Sequence, residues 1–117
     1  MKDLLFLIFF LALSFSKNSW GFRFIDGLED IPVFKDMKYV EDSLVLFDKI
    51  DGRYVSSELI GEYNKEEISE FYYNILPNLG WRKFETLRFK RGNEILEIKF
   101  KEADNKISAT FSISPKN

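Results

Sequence analysis

Within residues 22–117, one stretch carries a helical period and nearly everything after it alternates as strand. A single helix is therefore available to cover whatever sheet this chain forms. Asn64 stands as an N-cap, with Glu67 three residues on in capping-box position and Glu66 near the positive helix end. Ile68, Phe71, Tyr72, Ile75 and Leu79 fall at i, i+3, i+4, i+7 and i+11, which places them on one face. Pro77 distorts the last turn and Gly80 supplies a C-terminal cap, so the helix stops there.

Strands flank it. Leu44-Val45-Leu46-Phe47 is β-prone, Asp51-Gly52 is a tight-turn dipeptide, and Arg53 to Tyr63 resumes the apolar pattern, which predicts a hairpin. Beyond the helix, Trp81 to Phe84 leads into strand, Leu87 to Arg91 alternates, and Gly92-Asn93 makes a turn. Leu96, Ile98 and Phe100 then oppose Glu97, Lys99 and Lys101. After a turn at Asp104-Asn105, Ile107, Ala109, Phe111 and Ile113 oppose Ser108, Thr110, Ser112 and Ser114. Strands with one apolar and one polar face belong to an antiparallel sheet covered on a single side. The expected fold is α+β: a two-layer sandwich of one helix on a curled antiparallel sheet, in the order β-β-α-β-β-β. Residues 43–117 form that domain. Residues 22–42 are an aspartate-rich lead-in with room for a short edge strand, and Leu28, Ile31, Val33, Phe34 and Met37 pack it back on the core.

The N-terminus has a different logic. Met1-Lys2-Asp3 precedes Leu4 to Phe15, an uncharged and almost wholly apolar run, and polar Ser16 to Ser19 follows. This is the tripartite pattern of a secretory signal peptide, assigned to residues 1–21. Twelve helical residues reach about 18 Å, short of a hydrocarbon core of about 30 Å. Small residues permit cleavage after Gly21 or, alternatively, after Ser16. Gly21 is preferred because Phe22-Arg23-Phe24-Ile25 then opens the exported domain as an alternating segment. The product is expected to be periplasmic or secreted, touching the membrane only through its signal. An uncleaved apolar run would instead tether the domain.

Composition restricts the chemistry. The 117 residues include no cysteine and no histidine, which removes disulfides, thiolate metal sites, a cysteine nucleophile and the commonest general base. With 17 basic and 19 acidic side chains the formal charge is −2, without the basic excess that nucleic acid demands. There is no GxSxG elbow and no cofactor fingerprint, and Asp26 to Asp30 lacks the spacing of a calcium loop, so no cofactor and no metal are expected. Paired carboxylates are the remaining catalytic option. A hydrolase acting on a small or glycan substrate would need at least two of Glu29, Asp30, Asp36, Asp42 and Asp48 in one cleft, about 5–9 Å apart. Asp48 and Arg53 flank the hairpin turn and are expected to pair across it. Phe22, Phe24, Phe34, Arg53, Tyr73 and Trp81 are the candidates for an interaction surface or cleft rim. Arg88, Lys90, Lys99 and Lys101, with Glu97, form a mild cationic stripe on the polar sheet face.

Three motifs carry a resemblance: Gly27-Leu28-Glu29-Asp30-Ile31-Pro32, Phe47-Asp48 with Gly52-Arg53, and Phe71-Tyr72 through Leu76-Pro77-Asn78-Leu79-Gly80-Trp81. In this order the chain resembles small exported proteins of Gram-negative bacteria that have no assigned activity. More loosely, its helix followed by strands resembles a module of bacterial envelope lipoproteins. The resemblance implies an envelope location and brings no catalytic residues; the chain has no cysteine to carry the lipoproteins' anchor. The expected function is a non-enzymatic binding or interaction module. Its partner would be an envelope protein that meets an open sheet edge or the aromatic lead-in.

Overall fold

A computed structural model describes residues 23–116, so the proposed signal peptide and Phe22 lie outside the described residues. The chain begins with a small hairpin, β1 (Phe24–Ile25) and β2 (Leu28–Pro32). A seven-stranded antiparallel sheet follows. It comprises β3 (Lys38–Tyr39), β4 (Val45–Lys49), β5 (Gly52–Gly61), β6 (Arg82–Glu85), β7 (Arg88–Arg91), β8 (Glu94–Ala103) and β9 (Lys106–Pro115). Its spatial order is β3-β5-β9-β8-β7-β6, with β4 also on β5. Helix α1 (Lys65–Ile75) and the 3-10 turn Leu76–Leu79 connect β5 to β6. The class is α+β: among the described residues, a single helical segment with a predominantly antiparallel sheet.

Local chemistry places the helix. The Asn64 side chain accepts from the Glu67 amide at 2.9 Å, Glu66 and Glu67 occupy the positive first turn, and Ile68 and Tyr72 are buried. Pro77 changes the hydrogen-bond pattern to a 3-10 turn, which rotates the last residues. Leu76 thereby becomes fully buried while Leu79 is only partly so. Gly80, at φ 91°, ends the segment with its amide on the carbonyls of Leu76 and Pro77.

The helix does not cover the sheet alone. Ile25, Leu28, Ile31, Val33, Phe34 and Met37 of the lead-in are buried beside Val55, Leu59, Ile98, Phe111 and Ile113 of the sheet. The two covering pieces join where the buried Tyr72 hydroxyl donates to the Pro32 carbonyl at 2.7 Å. The hairpin β1–β2 needs Gly27: its φ is 82°, and a Cβ there would lie 2.5 Å from Leu44 Cδ1. Arg91 ties three elements together. It pairs with Asp30 of β2, donates to the Leu79 carbonyl at 3.1 Å, and stacks 4.2 Å above the Trp81 ring.

Three expectations change in detail. The run Trp81–Arg91 is two strands, because a turn at Thr86-Leu87 folds β7 back on β6. The hairpin tip is Ile50-Asp51 rather than Asp51-Gly52; Gly52 already pairs with Lys49 as the first residue of β5. The lead-in contains a hairpin of its own besides the short edge strand, β3.

Candidate functional site

The sheet has two lateral edges of different character. β6, at one edge, exposes Arg82, Lys83 and Glu85, and charge of this kind discourages strand addition. The other edge is a single interrupted strand. β3 pairs with Leu59 and Ile60, Val40 donates to the Glu58 carbonyl at 2.9 Å, and Ser43 Oγ accepts from the Glu58 amide at 3.1 Å. β4 then pairs with Gly52 to Ser56. Every residue of β4 is exposed, Leu46 at 59%, and Ile50 beyond it is wholly exposed. The two-residue turn closed by Lys49 and Gly52 fixes the hydrogen-bonding parity. Lys49, Phe47 and Val45 bond inward to β5, while the amides and carbonyls of Leu46 and Asp48 point away from the sheet.

Geometry also fixes the two faces. Val55, Ser57, Leu59, Ala109, Phe111, Leu96 and Ile98 face the core. The opposite face is uncovered among the described residues. Phe47 and Tyr54 stack there with centroids 5.0 Å apart and planes 13° apart, and Lys49 Nζ lies 5.2 Å from the Tyr54 ring. Together with Val45, Ser112 and Ser114 they line a shallow hollow of about 220 Å³. Toward the β6 edge of the same face, Arg88 and Lys90 sit over Phe84 at 5.0 and 4.5 Å. Arg88 and Lys99 both engage Glu97, at 3.4 and 3.6 Å.

The sequence candidates do not converge. Phe34 and Trp81 are core residues, 6% and 0% exposed, not cleft rim; Phe34 packs against Tyr63 and Phe71 with centroids 5.1 Å apart in each case. Phe24 is exposed, and its neighbour Ile25 carries the burial of β1. Asp48 and Arg53 are register partners as expected, but the ion pair is elsewhere. Arg53 reaches across Pro115 of β9 to Glu94 of β8, with Nε at 2.7 Å and Nη2 at 3.1 Å. A forked guanidinium–carboxylate contact outcompetes the single carboxylate on the exposed edge strand, and the hydrogen bond to Glu94 raises the Arg53 pKa, with Asp48 a minor contributor. Tyr73, on α1, lines a groove of about 480 Å³ with Glu66 and Glu70 of the same helix and with Thr86, Leu87 and Phe100. Its hydroxyl accepts from the Leu87 amide at 3.0 Å, and Lys83 Nζ lies 4.4 Å from its ring.

Of the carboxylates, Glu29 and Asp30 are neighbours on β2, where successive side chains leave by opposite faces, Asp36 and Asp42 lie in separate turns, and Asp48 is on β4. Asp30 is held by Arg91. Asp36 accepts a hydrogen bond from the Tyr63 hydroxyl, which holds its carboxyl below the ordinary range and lifts the phenol above its own. Asp42 is a turn residue at φ 62°. No group of three acidic side chains positioned for a metal occurs among the described residues.

The apolar edge was partly legible: Leu44 to Phe47 is an apolar run without alternation, which a strand covered on only one side would not need. The partnership of Arg53 with Glu94 had no local signal, since 41 residues separate them. Comparison of the sequence with protein-family models and with curated proteins gives no match, and comparison of the fold with solved structures gives none. The class is thus defined by architecture: an α+β domain in which one helix and a β-hairpin cover one face of an antiparallel sheet.

Proposed function

We propose that this chain is an exported, non-catalytic binding module that takes up a strand of an envelope protein along the outer edge of β4. One observation carries the reading: β4 is exposed over its full length, apolar at Val45, Leu46 and Phe47, with the main chain of Leu46 and Asp48 directed outward. Main-chain hydrogen bonds along such an edge supply affinity, and alternate side chains supply selectivity. Asp48 and Lys49 at its end limit indiscriminate pairing. Phe24 remains as a secondary contact from the lead-in; Phe34 is spent on the core. Export rests on the apolar run Leu4 to Phe15 and on the resemblance to exported envelope proteins.

The carboxylate-hydrolase reading needs a carboxyl group raised by burial, beside a second one. The shift at Asp36 runs the other way, and Asp30 is neutralised by Arg91. Capture from an envelope extract with the exported protein as bait tests the proposal. The wild type should retain a specific protein that Leu46→Lys loses at unchanged circular dichroism; equal capture by both, or none by either, contradicts it. Mass measurement of the same material tests export: loss of residues 1–21 fits a cleaved signal, and an intact mass supports a tether.

A further inference from the structure

We propose that the uncovered face of the sheet binds an acidic glycan. The antiparallel register lines up its side chains in rows across the strands. One row runs Arg82, Lys90, Ile95, Ser114, Tyr54, Phe47 from β6 to β4. From Lys90 to Tyr54 it crosses three strand spacings, about 14 Å, the length of a few sugar units.

Each part of the row suits a different part of such a chain. Arg82, Arg88, Lys90, Lys99 and Lys101 supply five positive charges against the three carboxylates of Glu58, Glu85 and Glu97, on a protein whose formal net charge is −2. Arg82, Lys90 and Lys101 have no acidic partner within ion-pair distance among the described residues. These are counter-charges for carboxylate or sulfate groups. The middle of the face is a ladder of hydroxyls on β9, Ser108, Thr110, Ser112 and Ser114, all partly exposed. Hydroxyls both donate and accept, as sugar hydroxyls do. At the far side the stacked Phe47–Tyr54 pair offers aromatic surface to the C–H faces of a sugar ring. An anionic membrane is the poorer fit, because the tip around the exposed Ile50 that would enter it carries two carboxylates, Asp48 and Asp51, against the single cation Lys49.

Binding of the full chain to polygalacturonate, measured by affinity electrophoresis beside neutral dextran, single-stranded DNA and phosphatidylglycerol vesicles, tests this. Polygalacturonate should retard the protein at least tenfold more strongly than dextran and more strongly than DNA. The double variant Lys90→Glu, Lys101→Glu should lose at least tenfold in affinity, and Tyr54→Ser several-fold, with circular dichroism unchanged. Leu46→Lys, which blocks the β4 edge, should bind the polymer as the wild type does, so failure here and failure of strand capture are separable. Equal binding to DNA, an undiminished Lys90→Glu, Lys101→Glu variant, or a loss in that variant seen only with vesicles would overturn the proposal.

Discussion

Ser57 is the one polar residue with a fully buried side chain on the core face of β5, and its hydroxyl has no hydrogen-bond partner among the described residues. A buried hydroxyl left unpaired costs free energy that a methyl group does not. Ser57→Ala should therefore raise the urea midpoint, by up to about 1 kcal/mol in unfolding free energy. A clear loss of stability would mean that the hydroxyl has a partner. The Asp36–Tyr63 hydrogen bond makes a second residue-scale prediction, with its sign fixed by the direction of the shift. The folded carboxyl binds its proton less readily than the unfolded one, so its contribution is present above about pH 4 and is lost as pH falls through the depressed value. Tyr63→Phe should flatten the acid limb of a stability–pH profile in that window while leaving its slope between pH 6 and 8 unchanged.

Among the elements, Arg91 is the tie between hairpin, 3-10 turn and Trp81. Arg91→Ala removes a charged hydrogen bond and a cation–π contact, and denaturant unfolding should register a loss of about 2 kcal/mol. A loss below half of that would mean β2 docks without it. The elements also mark how far the sequence could be read. The helix was legible because its evidence is local: Asn64 and Glu67 lie one turn apart, and Ile68 and Tyr72 recur at helical spacing. β8 and β9 were legible through strict alternation, which the burial of Leu96, Ile98, Phe111 and Ile113 reproduces. β4 carried an apolar run whose exposure depends on how much covering layer exists, and no local spacing encodes that. The Thr86-Leu87 turn lacked the usual glycine or asparagine; Leu87 adopts φ 57°, held by Tyr73 at its amide and by Ile98 at its carbonyl.

At the scale of the whole molecule, among the described residues, one helix, one small hairpin and the loop after it bury one face of the sheet's central strands, while the opposite face and β4 remain exposed. The covered face accounts for the fold. The uncovered face and the β4 edge are surplus to it, and the proposed binding sites lie there. The candidate site was least legible at this scale, because Phe34 and Trp81 look in sequence like any other aromatic residues near a loop. Phe34 is core because the lead-in docks against the sheet and the helix, and Trp81 is buried with Arg91 stacked over its ring. The central claim is that the β4 edge is open in the free protein, and amide hydrogen exchange reads it directly. The amides of Leu46 and Asp48 should exchange at nearly unprotected rates while those of Val45, Phe47 and Lys49 are slowed by their bonds to β5. Protection of Leu46 and Asp48 in the isolated chain would mean that the edge is already occupied, and would contradict the proposed docking site.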